Sequence, residues 1–469
     1  MNVIDEHINL GIVDKAFIVQ KDNFKELYIT GSNYEMGFQH GALLANEIEE
    51  VASKIITKLS LMLGQGDMEK GLEIFKFAAK TMEKYIPPVY KREILGIVDG
   101  MASRKVKLLT YDDMIMYNCH ADIALFYSSE GQQPGRPSTG FPIPAAPACS
   151  SFTAWGNATK DNKLILNANT DWYSSEFLYK HAIVMRGNPD YGYSFICPTY
   201  PGLVGLTSGM NEVGIAFNSQ TSRSSHLTLA GTGFIFNTRW VLEKAVSIDE
   251  AIAIIGGYKS LGLNWSIVDG KTNMAAVIEV SASEITVRTN DKDKNVLWAT
   301  NHFNSYPGWQ SYSGYSMVPG QMKYYGVTPP ESIKVWQKHL EQVNPGTYYR
   351  YNRLKQLINE NAGEITIAKA KEFSLDRYDL SINKQLGLNE PSVNTIYWWG
   401  AKTTLFKDIK CYKTKKTWSI TDREVALHKF VAIPEMGIIW FAMGAEPVKY
   451  DPTPLFLEQH WRITKAARS

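Results

Sequence analysis

Four cysteines, at 119, 149, 197 and 411, are the strongest nucleophiles this sequence offers. None stands in a CxxC or zinc-type spacing, so free thiols are expected rather than a metal centre or a disulfide framework. Three read as small core residues, whereas Cys149 is set apart by its flanks. The Pro/Gly/Ser-dense segment "YSSEGQQPGRPSTGFPIPAAPA", residues 127–148, runs without a turn motif into the alternating strand pattern "CSSFTAW". A thiol needs an adjacent base or positive charge to react near neutral pH. Cutting the Ala148–Cys149 bond would create such a base, because the new α-amine, with a reference pKa of about 7.7 to 8.0, would lie within one residue of its own sulfur. A mobile linker would then let the severed upstream piece swing away and expose the new terminus. On these residues alone, a buried structural cysteine opening a strand is the simpler alternative.

Other chemistries find little support. The sequence holds no HExxH helix, GxSxG elbow or phosphate loop, and "GTGFIF" at 231 lacks the third glycine of a dinucleotide fingerprint. His40, His181 and His226 lack ligand spacing and read as surface or satisfied core histidines. A formal charge of +2, without long like-charge runs, gives no electrostatic case for nucleic acid or an anionic membrane. The lysines of "KDIKCYKTKKTW", 407–418, read as a solvated hairpin edge. Eighteen consecutive apolar residues occur nowhere. The acidic start "MNVIDEHINLGIVDK" does not resemble a secretion signal, which predicts a cytoplasmic protein.

The elements that must position Cys149 follow from periodicity. Residues 1–126 read as mostly helical, with "NYEMGFQHGALLANEIEEVASKIITKLSLML" repeating apolar residues at three and four. Thr110 with Asp113 marks a further helix start through a capping box. Residues 127–148 form the linker and 149–469 the catalytic part. Beyond Cys149, short strands joined by the turn "NATKDNK" continue through "HAIVMRG", "YSFICPT" and "GIAFNSQTS". Helices follow at 236–255 and around 331–361, and strands return at the carboxy end. The pattern predicts an α+β sandwich with helices outside antiparallel sheets.

Several ordered motifs add to this reading. "CSSFTAW", "NANTDW", "TSGMNEVGIAFN" (207–218), "NWSIVDGKTNMAAVIEVS" (264–281), "ATNHF" (299–303) and the upstream "GSNYEMGFQHG" (31–41) together resemble the isopenicillin N acyltransferase family of N-terminal-nucleophile (Ntn) hydrolases, related to choloylglycine hydrolase and penicillin V acylase. The resemblance implies a four-layer αββα sandwich and an amidohydrolase or acyltransferase that matures by cutting itself before Cys149. Cys149 would be nucleophile and processing residue, and Asp171 would hold its amino group. Asn301 would donate to the oxyanion, and the backbone N–H of Asn218 would complete that hole, with Asn211 as a turn-shaping alternative. Arg350 matches an arginine near the cysteine, with Arg353 one turn away, although both also fit a helix surface. Ala148 departs from the glycine found before the nucleophile in the name-giving enzyme.

The resemblance implies a small-molecule amide substrate, no metal or organic cofactor, acyl-CoA as a possible co-substrate, and a possible homo-oligomer. Aromatic residues of "NHFNSYPGWQSYSGY", 301–315, would suit an apolar acyl group or ordinary loop packing. Two rivals stand beside this reading. One is a papain-like peptidase using Cys149 and His302, and the other is a binding protein that keeps the fold without activity.

Overall fold

A computed structural model describes residues 8–460 apart from 22–23, 131–148, 176–177, 179–180, 258–259, 290–293, 305–337, 343, 388–389, 398 and 444–456. Ala148, almost all of the 127–148 linker and most of the aromatic stretch 301–315 lie outside the described residues. In chain order the elements are β1 (Ile8–Val13), β2 (Ala16–Lys21), β3 (Phe24–Gly31), α1 (Asn33–Leu43), α2 (Ala45–Leu63), α3 (Met68–Glu83), α4 (Pro88–Ser103), α5 (Tyr111–Glu130), β4 (Ser150–Ala154) and β5 (Ile165–Ser175). They continue with β6 (Ile183–Pro189), β7 (Phe195–Thr199), β8 (Ser208–Asn211), β9 (Ile215–Thr221), α6 (Phe234–Lys244), α7 (Ile248–Gly257), β10 (Leu263–Asp269), β11 (Met274–Val280), β12 (Ile285–Arg288) and β13 (Val296–Ala299). Last come α8 (Pro345–Glu360), α9 (Ile367–Ser374), β14 (Tyr378–Asp379), β15 (Lys384–Gln385), β16 (Trp399–Lys410), β17 (Thr417–Ile433), β18 (Ile438–Met443) and β19 (Leu457–His460).

Two large sheets result. The ten-stranded one has the order β1-β2-β3-β6-β7-β8-β9-β10-β11-β12, and the seven-stranded one runs β13-β4-β5-β17-β18-β19 with β16 on β17. Bonds such as Ser151 Oγ to Ser266 Oγ at 2.6 Å and Ser208 Oγ to His428 Nε2 at 2.7 Å link their inner faces. Helices α6 and α7 pack on the ten-stranded sheet, and α8 and α9 cover the other. The layers are therefore helix, sheet, sheet, helix, as the α+β reading expects.

The amino-terminal reading needs correction. Three strands lie between residues 8 and 31, where "AFIVQK" and "FKELYITG" are rich in β-branched and aromatic residues and Asp14, at φ 54°, turns β1 into β2. The longer helical run that follows masked this in the sequence. Strand β3 pairs in parallel with β6, from Lys25 opposite Ile183 to Gly31 opposite Pro189, so the upstream piece is part of the central sheet. It cannot swing away from a cut at 148. Helix α5 also extends through Glu130, so the linker starts later than composition suggests.

Helices α1 and α4 cross at backbone contact. A Cβ on Gly37 would stand 2.0 Å from the Glu93 carbonyl oxygen, and one on Gly41 would stand 2.1 Å from that of Ile97. The glycines of "GFQHG" are thus accounted for by packing. Glu93 on α4 then grips Arg239 on α6 at 2.8 and 2.9 Å, while Glu243 meets the same guanidinium at 2.5 Å and Tyr90 Oη donates to Glu243 at 3.2 Å. Arg239 and Glu93 are fully buried. This cluster ties the helices upstream of Cys149 to those downstream.

Three histidines, His40, His302 and His428, are buried, and His120 is half-buried at the cavity wall. Burial pushes His40, His302 and His428 down to about 3 and His120 to about 4. Nε2 of His40 accepts from the Gly202 N–H at 2.9 Å, which requires that neutral ring. Below their unfolded pKa near 6.5 these rings bind protons only when the chain unfolds, so stability falls with pH from about 6.5 toward 4. Asp122, raised by burial to about 7, opposes this as a single carboxylate. We expect Tm to climb from pH 4.5 to 6.5 in scanning calorimetry, and a flat or falling profile would contradict the neutral-histidine assignment.

Candidate active site

Cys149 lies immediately before β4 and is 2% exposed. Its thiol donates to the backbone oxygen of Asp171 on β5 at 3.6 Å. The ladder pairs Ser150 with Asn169, so one further step sets Cys149 opposite Thr170. Alternation then puts Cys149 on the face that Thr170 turns toward the ten-stranded sheet. Burial, followed by the Asp171 charge, pushes its thiol up to about 11, against the lowering influence of Arg350 and of a hydrogen bond from the Asn301 side chain. In the unbroken chain this is a weakly nucleophilic thiol.

Arg350 and Asn301 converge on the same point. Helix α8 carries Arg350 into the interior, where the guanidinium donates to the Cys149 carbonyl oxygen at 2.5 Å and to Asn301 Oδ1 at 2.9 Å. Asn301 is held further by Nδ2 on the Thr221 oxygen and by its N–H on Thr347 Oγ1, each at 2.8 Å. The helix-surface alternative for Arg350 is thereby excluded. Arg353 does turn away, making a two-pronged ion pair with Asp376 at 2.7 and 3.0 Å.

Asp171 is fully buried, and among the described residues neither of its carboxylate oxygens has a hydrogen-bond partner. Burial raises its pKa, while Lys429 and Arg350 oppose that rise by their charge. Lys429, on β17, is 1% exposed, and burial depresses its ammonium against the pull of Asp171. Sequence reading passed over this lysine. Within "ALHKFVAI" it looks like a solvent-facing strand position, and only the covering of both faces of β17 buries it.

Asn218 also sits in the interior, but not as expected. Strand β9 is flanked by β8 and β10, with Asn218 opposite both Ser208 and Ser266, so its backbone belongs to the ladder. Its Oδ1 accepts from Thr170 Oγ1 at 2.9 Å, and its buried Nδ2 has no partner. Asn211 shapes a turn, bonding the carbonyls of Leu242 and Ala245 at 3.1 and 2.9 Å. His302 does not pair with Cys149. Its Nδ1 lies 2.9 Å from Thr347 Oγ1 and 3.1 Å from Thr300 Oγ1, which removes the geometric basis for a papain-like dyad.

A cavity of 110 Å³ reaches the site through Thr170, the neighbour of Asp171 on β5; Cys149, Asp171, Asn218, Asn301 and Arg350 are not among its lining residues. Ile55, Leu59 and Met62 of α2 and Leu125 of α5 form apolar walls, and Thr170 and Thr207 lie on its polar side. The other expected bland residues hold to that reading. Cys119, Cys197 and Cys411 are buried thiols, and the lysines of 407–418 lie on the β16–β17 hairpin. Among the described residues no group of three or more His, Cys, Asp or Glu could hold a metal, and no helix is long and apolar enough to cross a membrane.

Two mostly antiparallel sheets packed face to face between helices, with a cysteine leading into an inner strand, define an Ntn-hydrolase type of sandwich. Residues 158–418 match the acyl-coenzyme A:6-aminopenicillanic acid acyl-transferase family, and the chain belongs to that family. The matched span holds Asp171, Asn218, Asn301 and Arg350, and begins after Cys149. An uncharacterized protein of Archaeoglobus fulgidus is 26% identical over 371 residues, covering 76% of this chain and 59% of that one. Protein dcd1B of Dictyostelium discoideum is 23% identical over 283 residues, covering 56% and 51%. The chain thus spans little more than half the length of either relative. Among solved structures, penicillin V acylase from Agrobacterium tumefaciens aligns with 13% identity and a TM-score of 0.35, over 66% of this chain and 85% of that one.

Proposed function

We propose that this protein is an Ntn-type amidohydrolase or acyltransferase that frees Cys149 by self-cleavage and then works through a Cys149 thioester. The observation that carries this reading is the Asp171 carboxylate, buried beside Cys149 with both oxygens unpartnered. A desolvated carboxylate of this kind is costly unless it meets a cation or donor. The α-amino group of a freed Cys149 supplies N–H donors to it within the same pair of strands.

In the maturation step the Cys149 sulfur attacks the Ala148 carbonyl carbon, a thioester forms as the peptide C–N bond breaks, and water cleaves the thioester. A carboxylate on Ala148 and an amine on Cys149 result. That amine then takes the thiol proton as sulfur bonds the substrate carbonyl, and returns it to the leaving amine. Asn301 Nδ2 and the unpartnered Asn218 Nδ2 are the donors for the oxyanion. One such preorganised donor is typically worth about 3 to 4 kcal/mol. Arg350 fixes Asn301 and the Cys149 carbonyl, and its charge favours the thiolate.

The apolar cavity on the Thr170 side takes the acyl group, so the substrate is a small amide with an apolar acyl part. No step calls for a metal or organic cofactor, and an acyl-coenzyme A thioester fits the scheme as an alternative acyl donor. Intact-mass measurement tests the reading. We expect a chain of residues 149–469 beginning at Cys149, co-eluting with its upstream partner. An unbroken chain with full amidase activity would refute it.

A further inference from the structure

Lys429 is a buried charge at the site that the scheme above leaves unused, and sheet geometry explains why it faces Asp171. On β17, Lys429 lies opposite Asn169 of β5 and His428 lies opposite Thr170, while a bulge between Ala426 and His428 brings Asp171 opposite Ala426. Asn169 and Asp171 are two residues apart, so their side chains share a face. That face is the one covered by α9, since the Asn169 amide bonds the Ser374 and Ile396 carbonyls at 2.9 and 3.0 Å. The His428 ring goes the other way, to Ser208 on the ten-stranded sheet. Diagonal neighbours of this kind have Cβ atoms roughly 7–8 Å apart, within reach of a lysine stem. The Lys429 ammonium rests 4.3 Å from the centroid of the Tyr397 ring, a seat that stabilises a desolvated cation.

From this placement, and resting on the reading of Cys149 as a freed nucleophile, we propose that Lys429 is a positioning residue that keeps Asp171 ionised and holds the Cys149 amine in its uncharged, proton-accepting form. The titratable and charged groups around Asp171 are Cys149 on β4's leading edge, Arg350 on α8, Lys429 on β17, and Tyr397 with Arg377 behind it. His428 faces away. A second cation beside Arg350 disfavours an ammonium on Cys149 and favours its thiolate. Without Lys429, Asp171 would either take up a proton or pair so tightly with the new α-ammonium that the amine could not act as a base.

Alkylation of Cys149 by iodoacetamide, followed against pH by peptide mass analysis on the matured protein, measures this directly and needs no substrate. Lys429→Met is expected to move the midpoint of the rate profile up by about one pH unit, while Lys429→Arg keeps the wild-type midpoint. A Lys429→Met profile that coincides with wild type overturns the proposal. If Lys429→Met does not mature, the arginine variant decides: a midpoint displaced from wild type refutes a role carried by positive charge. Wild-type protein that is never cut before Cys149 would instead defeat the underlying reading of the nucleophile, and the two failures are read from different measurements.

Discussion

Cys149→Ala protein should run as a single 469-residue chain, and its amide-cleaving rate should fall to the uncatalysed background. Both losses have one cause in the proposed scheme, where the same sulfur attacks the Ala148 carbonyl during maturation and the substrate carbonyl afterwards. The fold should survive, since alanine replaces a small, buried side chain whose thiol donates to the Asp171 backbone oxygen at a long 3.6 Å. Two fragments on a denaturing gel of the alanine variant would assign the cut to an external protease. Retained amidase activity would remove Cys149 from the chemistry altogether. Cys149→Ser separates the two roles further, because a hydroxyl can still perform the acyl shift slowly while being a poorer nucleophile toward substrate.

The second large effect concerns Glu93. Replacing it with alanine leaves the Arg239 guanidinium fully buried with only Glu243 as its carboxylate partner. Breaking a buried ion pair by removing one partner typically costs about 3 to 5 kcal/mol, a large share of a domain's net stability. Urea denaturation of the uncut Cys149→Ala background isolates this term, and there we expect a lower midpoint with an unchanged slope. In protein that has matured, the same substitution should release the upstream fragment on gel filtration. Full retention of both fragments would show that the strand pairing of β3 with β6 suffices without the ion cluster.

Much of the site was legible in the sequence because its chemistry lies in local patterns. The change from a proline-rich stretch to an alternating strand at Cys149 survives as a cysteine at the mouth of β4, and "NTDW" and "ATNHF" deliver Asp171 and Asn301 to its side. Other features depend on which faces the sheets cover, and no window of residues carries that information. Lys429 follows a polar-looking alternation yet is buried, because β17 is sandwiched between β9's sheet and α9. Asn218 has its backbone in the ladder because β9 is flanked by β8 and β10 rather than lying at an edge. Arg350 reaches Cys149 across 201 positions of chain, a pairing that only the closing of the two sheets creates. The amino-terminal strands escaped notice for the opposite reason: each is short, and the helical run that follows dominates the periodicity.

The parallel seam between β3 and β6 has a consequence for the lifetime of the protein. Before a cut at 148, these strands belong to one chain, and unfolding can reverse as a first-order process. Afterwards they belong to two chains, and reassembly must begin with a bimolecular encounter that slows in proportion to dilution. Matured protein that opens at low concentration would meet aggregation or proteolysis sooner than its partner. Its persistence would then be set by the height of the unfolding barrier, and the seam would act as a one-way latch.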